Sequence, residues 1–270
     1  MNNKTKKKSG IAVFFIFAVL LIGAAAALHI LISGALPDNG KTPSGRDEAS
    51  YPAASRSVDP APGESTALPN ASAAPAASWN LILVNPWNEL PDGFTVELRE
   101  LNSEGEEAID ERAYPDLQAM LDDAIAEGLS PIVCSSYRTQ EKQQELYTRR
   151  VGRLKAAGYS DQEAVTEAGK WVAVPGTSEH QTGLAVDIIS LSYQVLDKNQ
   201  ENTAEQKWLM ENSYKYGFIL RYPNDKSEIT GINYEPWHYR YVGKEAAKDI
   251  YEMGLCLEEY LEYLSAAAPA

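Results

Sequence analysis

Hydrophobic positions divide the chain into three regimes. Residues 11–28, IAVFFIFAVLLIGAAAAL, form an unbroken uncharged run, and the apolar stretch resumes after His29 as ILISGAL. About twenty such residues cross a bilayer core. Lys4, Lys6, Lys7 and Lys8 lie just ahead of the run and predict a cytoplasmic N-terminus. A cleaved signal peptide is the competing reading, since the small residues 23–27 suit a cleavage site; either way the remainder is exported. Residues 33–78 are rich in Pro, Ala, Ser and Gly and show no periodicity, so a disordered tether is expected there. The expected partition is a basic tail and transmembrane anchor over 1–32, a linker over 33–78 and a catalytic domain over 79–270.

From Trp79 onward, regular patterns begin. Alternation over 80–84 and 94–101 predicts two strands. Leu117, Met120, Leu121 and Ile125 recur at helical spacing over 114–127, and Gly128 ends that helix. Residues 131–135 read as a short buried strand. Thr139 caps a helix with its body over 141–153, and Ser160 or Asp161 caps another that ends near Gly169. Residues 184–189 form a compact apolar strand with Asp187 inside it. A helix over 203–216 stops at Gly217, strands follow over 218–222 and 237–242, and 244–264 is a final amphipathic helix. Few clean strand–helix–strand units appear. The expected class is therefore α+β, a small antiparallel sheet flanked by helices.

Composition narrows the function. The formal net charge is −14, which argues against a nucleic-acid binder, since phosphate affinity needs clustered Lys and Arg. A hydrophobic fraction of 44%, with five Trp and fifteen Tyr, supplies a core. Two cysteines, Cys134 and Cys256, make no disulfide framework and are read as separate thiols.

Two of the three histidines sit in distinctive stretches, 174–188 (VPGTSEHQTGLAVDI) and 235–241 (EPWHYRY). Hydrolysing an amide with a metal takes three protein ligands and an open position for water. It also takes a carboxylate off the metal to carry the proton. His180, Asp187 and His238 are candidate ligands and Glu235 the candidate base. Each signal alone has an ordinary structural reading. Asp187 is the oddest, because an unpaired buried carboxylate is costly. Pro236 pushes Glu235 towards extended backbone, and residues three apart on a regular strand face opposite ways. Glu235 and His238 therefore converge only if the chain bends near Pro236-Trp237. A third stretch, CSSYRTQEKQ over 134–143, runs from a strand into a helix start. Its Arg138 suits a carboxylate or an oxyanion; a surface ion pair is the alternative. Gln143 and Ser178 offer neutral hydrogen bonds.

Together the three stretches resemble the zinc D-alanyl-D-alanine carboxypeptidases of the VanY type, within the D,D-peptidase and hedgehog-like metallopeptidase group. Ser135-Ser136-Tyr137-Arg138 with Gln143, Ser178-Glu179-His180 through Asp187, and Glu235-Pro236-Trp237-His238 match its pattern in order. The resemblance covers roughly 79–264. It implies one Zn²⁺ per chain on His180, Asp187 and His238, Glu235 as base, and Arg138 at the oxyanion or substrate. It further implies Ser178, Gln143, Trp237, Ser136 and Tyr137 as pocket residues. The implied activity removes D-alanine from peptidoglycan stem peptides at the outer face of the membrane. An L,D-carboxypeptidase acting on tetrapeptides, a zinc module that binds cell wall without catalysis, and a structural ectodomain remain as alternatives. Oligomeric state is open.

Overall fold

The computed structural model describes residues 78–101 and 107–267. The expected membrane anchor, tether and tail lie outside the described residues. No helix among the described residues is long and apolar enough to cross a membrane.

A two-stranded antiparallel ribbon, β1 (Leu98–Glu100) and β2 (Ala108–Asp110), precedes α1 (Tyr114–Ala126). The main sheet has the order β3 (Pro131–Ser135), β4 (Ala185–Ser190), β6 (His238–Tyr241), β5 (Phe218–Leu220), antiparallel throughout. Between β3 and β4 lie α2 (Gln140–Ala156) and α3 (Asp161–Gly169). Between β4 and β6 come α4 (Ala204–Asn212), then β5, then the one-turn α5 (Ser227–Thr230). Helices α6 (Lys244–Met253) and α7 (Leu257–Ala267) close the chain. The α+β expectation therefore holds.

Local chemistry fixes the helix starts. The Thr139 hydroxyl accepts from the Lys142 N–H at α2, and Ser160 with Glu163 forms a reciprocal capping box at α3. All six residues of β4 are buried, which is why this central strand reads as an apolar run rather than an alternating one. Alternation still sorts its faces. Leu184, Val186 and Ile188 join Tyr239, Tyr241 and Phe218 in a core covered by Leu117 and Met120 of α1 and Leu209 of α4. Burying a side chain such as Ile188 contributes roughly 1.5–3 kcal/mol. On the other face, Ile219 packs under Ala246, Ala247, Ile250 and Leu257 of the last two helices. That face also carries Asp187 and His238, direct partners across the β4–β6 ladder.

Several elements differ from expectation. Residues 80–84 form no strand; Trp79–Leu81 is a 3₁₀ turn. The carbonyls of Asn80 and Ile82 accept from the Arg240 guanidinium at 3.0 and 2.7 Å, which satisfies this backbone without a ladder. The 94–101 strand shrinks to Leu98–Glu100. The helix over 203–216 becomes α4 followed by a 3₁₀ turn, Ser213–Tyr216. The final helix breaks at Gly254, whose φ of 66° ends α6. Cys134, half-buried, and Cys256, buried, are both free thiols.

Candidate metal centre

Three adjacent strands deliver the site. β3, β4 and β6 set Ser135, Asp187 and His238 abreast. A register shift between Val133 and Ser135 swings the end of β3 into line. The anticipated bend is present: Pro236 and Trp237 occupy a turn closed by the His238 N–H on the Glu235 carbonyl at 3.1 Å. It brings Glu235 Oε2 to 3.9 Å from His238 Nδ1. His180 rides on a 3₁₀ turn, Glu179–Thr182, ahead of β4. Gly183 ends that turn at φ 74°, and an added Cβ would meet Val96 and Leu98 side chains at 3.2 Å, so a side chain here is opposed by both conformation and space.

Asp187 lies between the two imidazoles. Its Oδ2 is 3.3 Å from His180 Nε2, and its Oδ1 is 3.0 Å from His238 Nδ1. One ligand atom from each of the three residues lies within 4.8 Å of the others, and all three residues are buried. Their outward hydrogen bonds set the tautomers. His180 Nδ1 sits 2.7 Å from the Ser136 carbonyl, which can only accept, so Nδ1 carries the proton and Nε2 presents its lone pair inward. His238 Nε2 faces Glu179 Oε2 at 3.6 Å, leaving Nδ1 for the cluster. Two imidazole nitrogens and a carboxylate with one open side suit zinc.

Burial and neighbours shift the ionisable groups in opposite directions. Burial opposes ionisation of Asp187, but the His180 and His238 imidazoles hold its carboxyl well below the usual carboxylate range. Burial, with Arg138 nearby, lowers His180 to about 4. Burial also acts to lower His238, yet its contacts with Asp187 and Glu179 raise it to about 9. Burial pushes Glu235 up to about 8; a cation beside it acts the other way.

Arg138 donates to Asp187 Oδ2 at 3.0 Å and to the Ser135 hydroxyl at 2.8 Å. It lines an open cleft of about 240 Å³ together with Ser178, Trp237, Glu235 and the three candidate ligands. The other pocket candidates lie elsewhere. Gln143 is fully buried, donates to the Ala173 carbonyl at 2.7 Å and accepts from Arg138 at 3.4 Å, so it braces the arginine. Ser136 is buried, bonding Glu107 and the Ala108 N–H. Tyr137 is half-buried and does not line the cleft.

The model of a family described as D-alanyl-D-alanine carboxypeptidase, VanY, matches residues 106–244, just over half of the chain. The chain belongs to the VanY family. A D-alanyl-D-alanine carboxypeptidase of Enterococcus faecalis is 55% identical over 183 residues, 68% of this chain and 66% of the relative. Among solved structures, VanYB in complex with D-alanine-D-alanine is similar with a TM-score of 0.63 at 56% identity, covering 68% of this chain and 98% of that one. A vancomycin-resistance D,D-pentapeptidase VanY in complex with Zn(II) gives 0.62 at 55% identity, covering 68% and 99%.

Sequence reasoning passed over Glu179, Arg221 and Arg240. Glu179 Oε1 accepts from Arg221 Nε and from an Arg240 N–H, each at 2.7 Å, and all three residues are buried. Arg221 also grips Glu258 at 2.6 and 2.8 Å. The available signal was two arginines within apolar strand patterns. A buried arginine requires a carboxylate partner.

Proposed function

We propose that the chain is a zinc-dependent carboxypeptidase that removes the terminal D-alanine from peptidoglycan stem peptides, with His180, Asp187 and His238 holding the ion. The observation that carries this reading is the convergence of those three side chains beside the unligated carboxylate of Glu235. The VanY relatives bound to D-alanine-D-alanine and to Zn(II) support it.

Zinc in such a site acidifies water and polarises the scissile carbonyl. The chain's own groups do the rest. Glu235 takes the proton from water and passes it to the departing amino group; its buried setting suits a carboxyl that must hold a proton and then release it. Arg138, braced by Ser135 and Gln143, presents a fixed guanidinium to the oxygen on which negative charge develops. Ser178 and Trp237 form wall around the substrate end.

The basic cluster and the apolar run of 11–28 support a membrane-anchored placement, with residues 33–78 as a tether and the catalytic domain outside the membrane. Protease added to intact spheroplasts should degrade that domain; full protection would count against this placement.

The test of activity is product analysis by mass spectrometry with pentapeptide and tetrapeptide stems. Release of one D-alanine from the pentapeptide is expected. Release from the tetrapeptide alone would replace this reading with an L,D-carboxypeptidase.

A further inference from the structure

The helix that starts two residues after Arg138 carries a second cationic group. Leu146, Arg149, Arg150 and Arg153 of α2 line the same cleft as the three candidate ligands. Their spacing places them on one helical face. The Arg150 guanidinium lies 5.7 Å from the Trp171 ring, and its Nε is buried with no hydrogen-bond partner. Arg149 has only a 3.9 Å approach to Glu145, with both side chains largely exposed, a pairing of little energetic weight. The cleft's two acidic lining residues, Asp187 and Glu235, are both at the metal end. Glu145 and Glu167 stand near Arg149 and Arg150, yet the cleft lining at this end carries three arginines and no carboxylate, in a chain of net charge −14. A cleft lined by one sign of charge concentrates ligands of the other.

We propose that Arg149, Arg150 and Arg153 form a subsite for a carboxylate carried by the substrate on the acyl side of the scissile bond. This rests on the carboxypeptidase reading and adds a recognised group to it. Stem peptides offer such a group in the free α-carboxylate of their γ-linked glutamate, which becomes uncharged when amidated. The arginines and the three candidate ligands line one cleft, and the three residues on the acyl side of the scissile bond reach roughly 10 Å when extended. Arginine forks suit a carboxylate and gain nothing from a neutral amide at that position.

The test compares full-length protein with the variant Arg149→Gln/Arg150→Gln/Arg153→Gln, both loaded with zinc. Substrates are pentapeptides with γ-linked glutamate or its amide, and N-acyl-D-alanyl-D-alanine without a second carboxylate. The readout is the ratio of kcat/KM for the glutamate peptide over its amide, which is insensitive to a uniform loss of folded enzyme. Wild type should show a ratio of at least about ten, shrinking as salt is raised. In the triple variant it should fall towards unity. A wild-type ratio near one, or a ratio unchanged by the substitutions, overturns the subsite while leaving D-alanine release intact. If wild type cleaved none of the three, the carboxypeptidase reading itself would fall, and the subsite with it.

Discussion

Glu179 Oε2 faces His238 Nε2 across 3.6 Å, and neither buried atom has a hydrogen-bond partner. The gap is just beyond hydrogen-bond length, so a small shift of the imidazole closes it. The other carboxylate oxygen is pinned by Arg221 and Arg240. Glu179 is therefore fixed from behind and orients the ring whose opposite nitrogen points at Asp187. Carboxylates placed this way on a ligating histidine set its tautomer and strengthen metal binding.

Glu179→Gln keeps the shape but removes the charge. Zinc affinity of the folded protein should fall about 10- to 100-fold, as read by competition with a chromophoric chelator. The melting temperature of the chelator-treated protein should drop as well, because two buried guanidiniums lose a counter-charge. A lower melting temperature with unchanged zinc affinity would make Glu179 purely structural.

Glu235→Gln separates binding from turnover. Zinc content by elemental analysis should stay near one per chain, and kcat should fall about 10²- to 10⁴-fold because the proton carrier is gone. Near-normal turnover would remove Glu235 from the chemistry.

Asp187→Ala should be the harsher change. Both histidines and Arg138 meet this carboxylate in the folded protein. The variant should fail to retain zinc on gel filtration, and its melting temperature should not respond to added metal. Wild type should gain about 4 kcal/mol when free zinc is a thousandfold above its dissociation constant.

The Arg221–Glu258 pair gives a pH signature away from the metal. Burial opposes ionisation of Glu258, but Arg221 beside it lowers the carboxyl below its ordinary value of 4.5. The folded state thus binds this proton more weakly than the unfolded chain. The stabilisation is complete above the unfolded value and is lost as pH falls through the lower folded one. Urea unfolding of chelator-treated wild type should weaken on acidification from pH 6 to 3. Glu258→Gln should be less stable at pH 6 and show a shallower acid slope. Parallel slopes would refute the contribution.

Much of this was legible from local signals. An aspartate inside the apolar run of β4 called for a metal, an arginine partner or solvent at the strand end, and Asp187 meets two imidazoles and a guanidinium. Glu235 and His238, three apart in an extended segment, could converge only through a bend near Pro236-Trp237, and that bend is present. What stayed hidden depends on contacts between distant residues. Arg240 takes the carbonyls of Asn80 and Ile82, turning an alternating segment into a non-strand, across about 160 positions. Gln143 looked like a polar helix residue free to reach a ligand, yet Ala173 and Arg138 consume its amide. Glu179 lay within a recognised motif, but its importance appears only once β5 and β6 bring Arg221 and Arg240 beneath it.

Zinc-edge X-ray absorption on the purified protein tests the centre most directly. The account predicts a first shell of two imidazole nitrogens at about 2.0–2.1 Å plus carboxylate and water oxygens, with His238→Ala either losing the ion or showing half the imidazole scattering at raised zinc. A sulfur shell at about 2.3 Å, or scattering unaffected by that substitution, would place the ion away from His180, Asp187 and His238 and contradict the account.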